Sequence, residues 1–197
     1  MPKVVLFVEG VVGVGKSVAC AALARRGVSV VTEPVYMWDQ HLEGVYGPTP
    51  GAWALPMQLL ALTTRNELLF RVLDNSAGDV VLVERSPRSD AIFAAQLNAE
   101  DAAVYSVAAA RYKTLLSSFP DVRFESVYLR ALPEVCMGRV KKRARPAERT
   151  MTLGSLQGLF ELHDTEFADS VVIDASKTAE EVADDLAALV TQLSSSN

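Results

Sequence analysis

Gly10-Val-Val-Gly13-Val-Gly15-Lys16-Ser17 fits the phosphate-loop pattern G-x-x-x-x-G-K-[ST] at every fixed position. It follows the apolar run Val4–Val8, which reads as a strand, and it opens a helical pattern over Lys16–Arg25. That strand–loop–helix order is the context in which the motif acts. Its glycines let the backbone wrap phosphates closely, and the N–H groups at a helix N-terminus supply positive potential. Lys16 is expected to reach the β- and γ-phosphates, and Ser17 to ligate Mg2+. The loop predicts binding of a nucleoside triphosphate such as ATP. It leaves the fate of the γ-phosphate open, because motors, switches and kinases share it.

Outward from the loop, apolar runs alternate with amphipathic stretches, the mark of an α/β domain built on a parallel sheet. Strands are expected over Val4–Val8, Val28–Thr32, Val80–Val83, Phe124–Leu129 and Val171–Ile173. Helical patterns lie near Lys16–Arg25, Pro56–Leu73, Ser89–Leu97, Ala102–Leu116, Pro133–Lys142 and Leu153–Phe167. A last helix lines up Val182, Leu186, Leu189, Val190 and Leu193, and opens with the capping box Thr178-x-x-Glu181. Arg26-Gly27 and Ser76-Ala77-Gly78-Asp79 read as turns, and Ser194–Asn197 as a frayed end. No repeat, low-complexity tract or linker interrupts the pattern, so residues 1–197 read as one domain.

The chain has 197 residues, of which 50% are hydrophobic, enough for one well-buried core. A formal net charge of −5 argues against a general nucleic-acid binder. No apolar run reaches the ~18 residues of a membrane span. The first strand-like run starts at Lys3, which leaves no room for a signal or transit peptide, so a cytoplasmic location is expected. Cys20 and Cys136 lack metal-ligand spacing and read as buried free thiols.

A GTPase switch needs Asp-x-x-Gly and Asn-Lys-x-Asp elements, and neither occurs. Three constellations point to a small-molecule kinase instead. In Thr32-Glu33-Pro34-Val35-Tyr36-Met37-Trp38, Pro34 stops the second strand and leaves Glu33 at its C-terminal end, where open α/β sheets bind ligands. A carboxylate there can take the proton of an attacking hydroxyl. Glu84-Arg85-Ser86 follows the buried run Val80–Val83. There Glu84 can hold Mg2+, directly or through water, and Arg85 can orient the base or steady the transferring charge. Finally, Arg139-Val-Lys-Lys142-Arg143-Ala-Arg145-Pro-Ala-Glu148-Arg149 concentrates positive charge between two helices. A basic lid over about 139–150 would stabilise the equatorial oxygens during transfer and exclude water.

Together these elements resemble the deoxynucleoside kinase family, in particular its deoxycytidine, deoxyguanosine and deoxyadenosine kinase branch. The likeness runs from Val4 to about Leu193. It rests on Val8-Glu9-Gly10 through Ser17, Glu33-Pro34-Val35-x-x-Trp38, Trp53-x-x-x-Met57-Gln58 and Glu84-Arg85-Ser86-x-x-Ser89-Asp90-x-Ile92-Phe93-Ala94. It continues through Tyr128-Leu-x-Ala-x-Pro133-Glu-x-Cys136-x-x-Arg139, Arg143-Ala-Arg145-x-x-Glu148 and Leu156-Gln-x-Leu-x-Glu-Leu-His163.

The resemblance implies a P-loop kinase fold: a five-stranded parallel sheet flanked by helices, with an Arg-rich lid. It implies an ATP-dependent, Mg2+-assisted phosphorylation of a deoxynucleoside 5′-hydroxyl in nucleotide salvage. By the same resemblance Glu33 is the general base, held by Arg85, while Ser17 and Glu84 manage Mg2+. Gln58 pairs with the base edge, and Phe93 and Trp38 form an apolar slot around it. Tyr46 and Glu148 meet the 3′-hydroxyl, Arg139, Arg143 and Arg145 belong to the lid, and Asp174 falls where the family binds adenine. The family commonly forms homodimers through helices flanking the sheet, and the apolar helix Ala102–Leu116 could supply one.

This chain departs from the family in carrying Val11, Val12 and Val14 in the phosphate loop, Met57 beside Gln58, and Ala147 beside Glu148. The segment Tyr46–Trp53 also runs one residue longer than usual.

The base pocket carries a further physical reading. Gln58 offers one carbonyl and one NH2 to a base edge. Arg65 lies two helical turns further along the same face, from where it could meet Asp90. If Asp90 accepts a hydrogen bond from an exocyclic amine, cytosine and adenine suit it, and thymine sets O4 against it. Guanine's O6 could turn to Arg65. A thymidylate-kinase-like monophosphate kinase shares the fold but needs extra cations for a second phosphate. A non-catalytic nucleotide-binding regulator needs none of Glu33, Arg85 or the lid arginines.

Overall fold

The computed structural model of the protein describes residues 4–75 and 78–195. Lys3 ahead of the first strand, the Ser76-Ala77 half of the expected turn, and Ser196-Asn197 of the expected frayed end lie outside the described residues. Five strands are present: β1 (Val4–Glu9), β2 (Ser29–Val31), β3 (Val80–Glu84), β4 (Arg123–Arg130) and β5 (Val171–Asp174). They form one parallel sheet in the order β2-β3-β1-β4-β5. The helices are α1 (Lys16–Arg25), α2 (Asp39–Val45), α3 (Pro50–Asn75), α4 (Pro87–Ala94), α5 (Ala99–Leu116), α6 (Pro133–Arg143), α7 (Leu153–Glu166) and α8 (Ala179–Ser195).

Every residue of β1 and β3 is buried, as expected of parallel strands covered on both faces. Val4, Leu6 and Val8 turn to one face and pack with Leu23 of α1, Met137 and Val140 of α6, and Leu186 and Val190 of α8. Val5 and Phe7 turn to the other face and meet Leu69 and Leu73 of α3. Cys20 and Cys136 are free thiols buried in the first of these layers. The expected capping box opens α8: Thr178 N–H donates to Glu181 Oε2 at 2.9 Å, and Glu181 N–H returns a bond to Thr178 Oγ1 at 3.3 Å. A second box, from Thr152 to Ser155, opens α7. No described helix is long and apolar enough to cross a membrane.

Two elements differ from the sequence expectation by more than three residues at an end. Helix α2 was not expected at all, and α3 starts at Pro50, leaving Pro56 inside it rather than at its start. An internal proline loses a backbone hydrogen bond and costs roughly 3 kcal/mol. Packing between α2 and α3 works against that loss. Trp53 of α3 lies where a Cβ on Gly44 of α2 would sit, and its ring meets His41 edge-on at 5.5 Å.

Because all five strands run the same way, their C-terminal ends share one edge of the sheet. Glu9, Glu84 and Asp174 end their strands there, and Glu33 lies two residues past β2.

Candidate active site

The phosphate loop is pinned against β4 and α6 at two glycines. A Cβ on Gly10 (φ 143°) would lie 2.6 Å from Leu129 O, and one on Gly13 (φ 82°) would lie 2.5 Å from Cys136 O. Neither position tolerates a side chain, in conformation or in space. Gly15 precedes α1, also with positive φ. Lys16 is buried, and its ammonium donates to Gly10 O at 2.8 Å and Val11 O at 3.0 Å. Burial, and then the nearby Arg85, push the Lys16 ammonium down to about 7. Ser17 Oγ donates to Glu84 Oε1 at 2.6 Å, and the other Glu84 oxygen accepts the Glu33 backbone N–H at 3.3 Å. Ser17 and Glu84 thus bring hard oxygen donors to the loop mouth. That donor set suits Mg2+, which takes one or two protein oxygens and completes its octahedron with phosphate and water.

Glu33 sits between two guanidinium groups. Arg65 Nη2 donates to Glu33 Oε1 at 2.7 Å, and Arg85 Nε approaches the same oxygen at 3.2 Å. Burial alone would raise the Glu33 carboxyl. Arg65, then Arg85 and Lys16, more than reverse this and hold it below the ordinary carboxylate range. Arg85 has left-handed backbone (φ 68°) directly after β3, and its N–H donates to Val8 O at 3.0 Å. This conformation is uncommon for a residue other than glycine and sets the direction in which the side chain leaves the strand. The buried Arg85 side chain also reaches Ser89 Oγ at 3.4 Å and His163 Nε2 at 3.3 Å, and its guanidinium lies 5.0 Å above the Phe93 ring.

These groups open onto a cleft of about 1050 Å3. Of the residues singled out from sequence, Gly13, Gly15, Lys16, Ser17, Glu33, Trp38, Tyr46, Gln58, Arg65, Glu84, Arg85, Phe93, Arg139, Arg143, Arg145 and Glu148 all line it. Trp38 is buried, donates its indole N–H to Thr64 Oγ1 at 3.0 Å, and carries the Arg65 guanidinium 5.0 Å above its ring. Burial, and then the Glu148 carboxylate, push the Tyr46 phenol up.

The three arginines expected in a lid differ among themselves. Arg143 Nη2 donates to both oxygens of Glu148, at 2.6 and 2.7 Å, and Arg145 Nη1 reaches the same carboxylate at 3.3 Å. Arg139 instead staples the phosphate loop to the turn after β5, donating to Val14 O and Ala175 O, each at 2.8 Å.

Three expected residues lie off the cleft wall. Gly10 is buried beneath the loop, against β4. The Asp174 carboxylate accepts the Ser176 N–H at 2.9 Å and its hydroxyl at 2.6 Å, and the neighbouring Ala175, Lys177 and Thr178 face the cleft instead. Asp90, expected to face the base, is 1% exposed and lies behind Arg65, in direct contact with Arg65 Nη1. Arg65 therefore spans from Asp90 to Glu33.

Sequence reasoning assigned no role to Glu9, Ser89 or His163, all of which are fully buried here. Ser89 Oγ donates to Glu9, and His163 contacts Arg85. The signal for His163 was its spacing: with Leu156, Leu159 and Phe160 it occupies the buried stripe of α7.

A family model for deoxynucleoside kinases matches residues 6–195. A probable deoxycytidine kinase of fowlpox virus is 30% identical over 169 residues, covering 81% of this chain and 69% of its own. A thymidine kinase of ictalurid herpesvirus 1 is 31% identical over 201 residues, covering 93% and 85%. A solved structure of deoxyadenosine kinase from M. mycoides, with the products dCMP and a flexible dCDP bound, shares the fold. It superimposes with a TM-score of 0.74 at 20% identity, covering 95% of this chain and 99% of that one. With the family matched over nearly the whole chain, the protein belongs to the deoxynucleoside kinases and is a phosphotransferase.

Proposed function

We propose that the chain transfers the γ-phosphoryl group of ATP, or of another nucleoside triphosphate, to the 5′-hydroxyl of a deoxynucleoside, and prefers deoxycytidine or a deoxypurine to thymidine. The observation that carries this reading is Glu33, an ionised carboxylate held by Arg65 and Arg85 beside the phosphate loop. A carboxylate so placed can accept the 5′-hydroxyl proton while that oxygen attacks the γ-phosphorus and the bond to the β-phosphate oxygen breaks.

Lys16 leaves the loop carbonyls for the β- and γ-phosphates, and Arg85 steadies both Glu33 and the attacked oxygen. Arg143 and Arg145 exchange Glu148 for phosphate oxygens as the lid closes. Ser17 directly, and Glu84 directly or through water, would hold Mg2+, which supplies charge neutralisation at the β- and γ-phosphates. The base enters the slot between Phe93 and Trp38 with Gln58 at its edge, and the 3′-hydroxyl meets Tyr46 and Glu148. The loop after Asp174 frames the adenine of the donor.

The base preference rests on the Arg65–Asp90 pair, since the relatives are named for different nucleosides. With Asp90 seated behind Arg65, an exocyclic amine reaches the carboxylate as Arg65 yields, and thymine's O4 offers Asp90 nothing to accept. The whole chain acts as one kinase unit in the cytoplasm. It forms a homodimer through α5, where Val104 and Val107 are 53% and 74% exposed.

The test is a phosphorylation assay of the purified protein with ATP and Mg2+ against all four deoxynucleosides and their monophosphates. Turnover of deoxycytidine or a deoxypurine nucleoside is expected. Turnover confined to a monophosphate would replace this reading with a monophosphate kinase.

A further inference from the structure

We propose that His163, on α7, is a positioning residue for phosphoryl transfer: its unprotonated Nε2 accepts from Arg85 and so fixes the direction in which Arg85 presents its Nε to Glu33. The proposal rests on the reading of Glu33 and Arg85 given above.

The tautomer follows from the partners. His163 Nδ1 lies 2.7 Å from Leu159 O, a carbonyl that only accepts, so Nδ1 carries the proton. Nε2 lies 3.3 Å from Arg85 Nη1, a group that only donates, so Nε2 offers its lone pair. An imidazolium would set an N–H against the guanidinium. Burial, and then Arg85, push the ring's pKa down to about 3, which agrees with a permanently neutral imidazole.

The guanidinium is the reason the contact has a function. Arg85 is 4% exposed, so each of its N–H groups needs an acceptor within the protein. Its Nε faces Glu33, and Nη1 is shared between Ser89 Oγ at 3.4 Å and His163. Phe93 closes the plane beneath, and the His163 ring stands edge-on to Phe93 at 6.1 Å. Without the imidazole acceptor, one end of the fork is free to swing towards the remaining carboxylates, and Nε turns off the Glu33 oxygen. Ser89 cannot hold it alone, because its oxygen lies a long 3.4 Å from Arg85 Nη1.

Two variants separate positioning from packing. His163→Gln keeps a side-chain oxygen near the Nε2 position, whereas His163→Leu keeps the apolar bulk and removes the acceptor. Positioning predicts that kcat for deoxynucleoside phosphorylation falls about ten- to hundredfold in His163→Leu, the worth of one hydrogen bond to a buried charge. It predicts that His163→Gln stays within about threefold of wild type, and that KM for the triphosphate moves less than twofold in both. In an Arg85→Met background, His163→Leu should have no further effect on kcat, because the two act through one contact.

A packing role predicts the reverse order, with Leu tolerated beside Phe93 and Phe167 and Gln damaging. That order, or additive effects in the double variant, would overturn the proposal. A second readout needs no activity. The chain has two histidines, so 15N-histidine NMR of the wild-type protein reports each ring, with His163→Gln assigning the signals. A neutral Nδ1–H tautomer at His163 is expected. An Nε2–H tautomer or an imidazolium refutes the contact itself. Failure of the wild type to phosphorylate any deoxynucleoside would instead refute the functional reading.

Discussion

The double variant Arg65→Met with Asp90→Ala tests how the cleft chooses a base. In the wild type, Arg65 is 11% exposed and Asp90 2% in their side chains, and Arg65 bonds Glu33 at its other end at 2.7 Å. Removing Asp90 alone breaks a buried pair, a change that costs about 3–5 kcal/mol when the surviving charge has no partner. Here Glu33 remains as a partner, so the loss of stability is smaller. The guanidinium is instead drawn wholly onto Glu33, where it competes with the substrate hydroxyl. Asp90→Ala should therefore lower kcat for every nucleoside.

Replacing both residues removes the charges together, which is often neutral for stability. It also opens apolar space next to Trp38, Met57 and Ala61, which already form one cluster. A thymine methyl fills such space, and a single apolar group of that size is worth about 10–200-fold in kcat/KM. Loss of the buried acceptor that disfavours O4 adds to this. The ratio of kcat/KM for thymidine to that for deoxycytidine should rise by about 10²-fold or more. Absolute kcat should fall for both, since Glu33 keeps only Arg85, at 3.2 Å. Steady-state kinetics with both nucleosides, on wild type and on single and double variants, decide the matter. A wild type that already prefers thymidine, or a double variant whose ratio stays within about threefold, would refute the pocket assignment.

Glu33→Gln keeps the side-chain shape and removes the base, so kcat should fall by ~10²–10⁴ while triphosphate affinity, read by calorimetry, stays near wild type. Glu33 is held below its ordinary carboxylate range, so its share of stability is present above the unfolded value, about 4.3, and is lost as pH falls through the lower folded value. The matching kinetic expectation is an acid limb of the pH–kcat profile below the ordinary glutamate range. Lys16 lies near 7 in the free protein, and bound phosphates favour its charged form, so triphosphate binding at pH 8 should take up a proton. Calorimetric heats in buffers of different ionisation enthalpy measure that uptake, and persistence of the full uptake in Lys16→Ala would count against the assignment. Arg143→Ala should lower kcat and spare nucleoside binding; loss of nucleoside binding with normal kcat would remove Arg143 from the lid. Val107→Asp on α5 should halve the mass seen by light scattering if the dimer forms there, and an unchanged mass would place the interface elsewhere.

How much of this was legible in the sequence depended on whether the signal was local. The phosphate loop announces itself within eight residues, between the apolar run of β1 and the helical pattern of α1. The strands were readable because most are short apolar runs ended by a polar or turn residue, such as Pro34 after Glu33. The region between β2 and β3 was misread for a physical reason. Pro56 looked like a helix start, since proline suits the first turn. In fact the helix begins at Pro50, and contact between Trp53 and Gly44 carries it past the internal proline. That contact joins two helices, and periodicity within either one cannot reveal it.

The site shows the same division. Residues at strand ends next to a motif, such as Glu33, Glu84 and Arg85, could be placed at the ligand edge from topology alone. Relations between elements could not. Helical spacing put Arg65 within reach of Asp90, but nothing in the sequence indicated that the same guanidinium also grips Glu33. His163 shows why such residues escape notice. On a helical wheel it falls among Leu156, Leu159 and Phe160, and a histidine in that position reads as core. It becomes informative only when the partner of its second nitrogen is known, and that partner lies 78 positions away, at the end of β3. A polar residue on an otherwise apolar stripe must find a partner or carry a desolvation cost, so such a position is a prompt to ask which buried charge it serves. In this protein the answer is Arg85, whose left-handed backbone had already marked it as a side chain held in one direction.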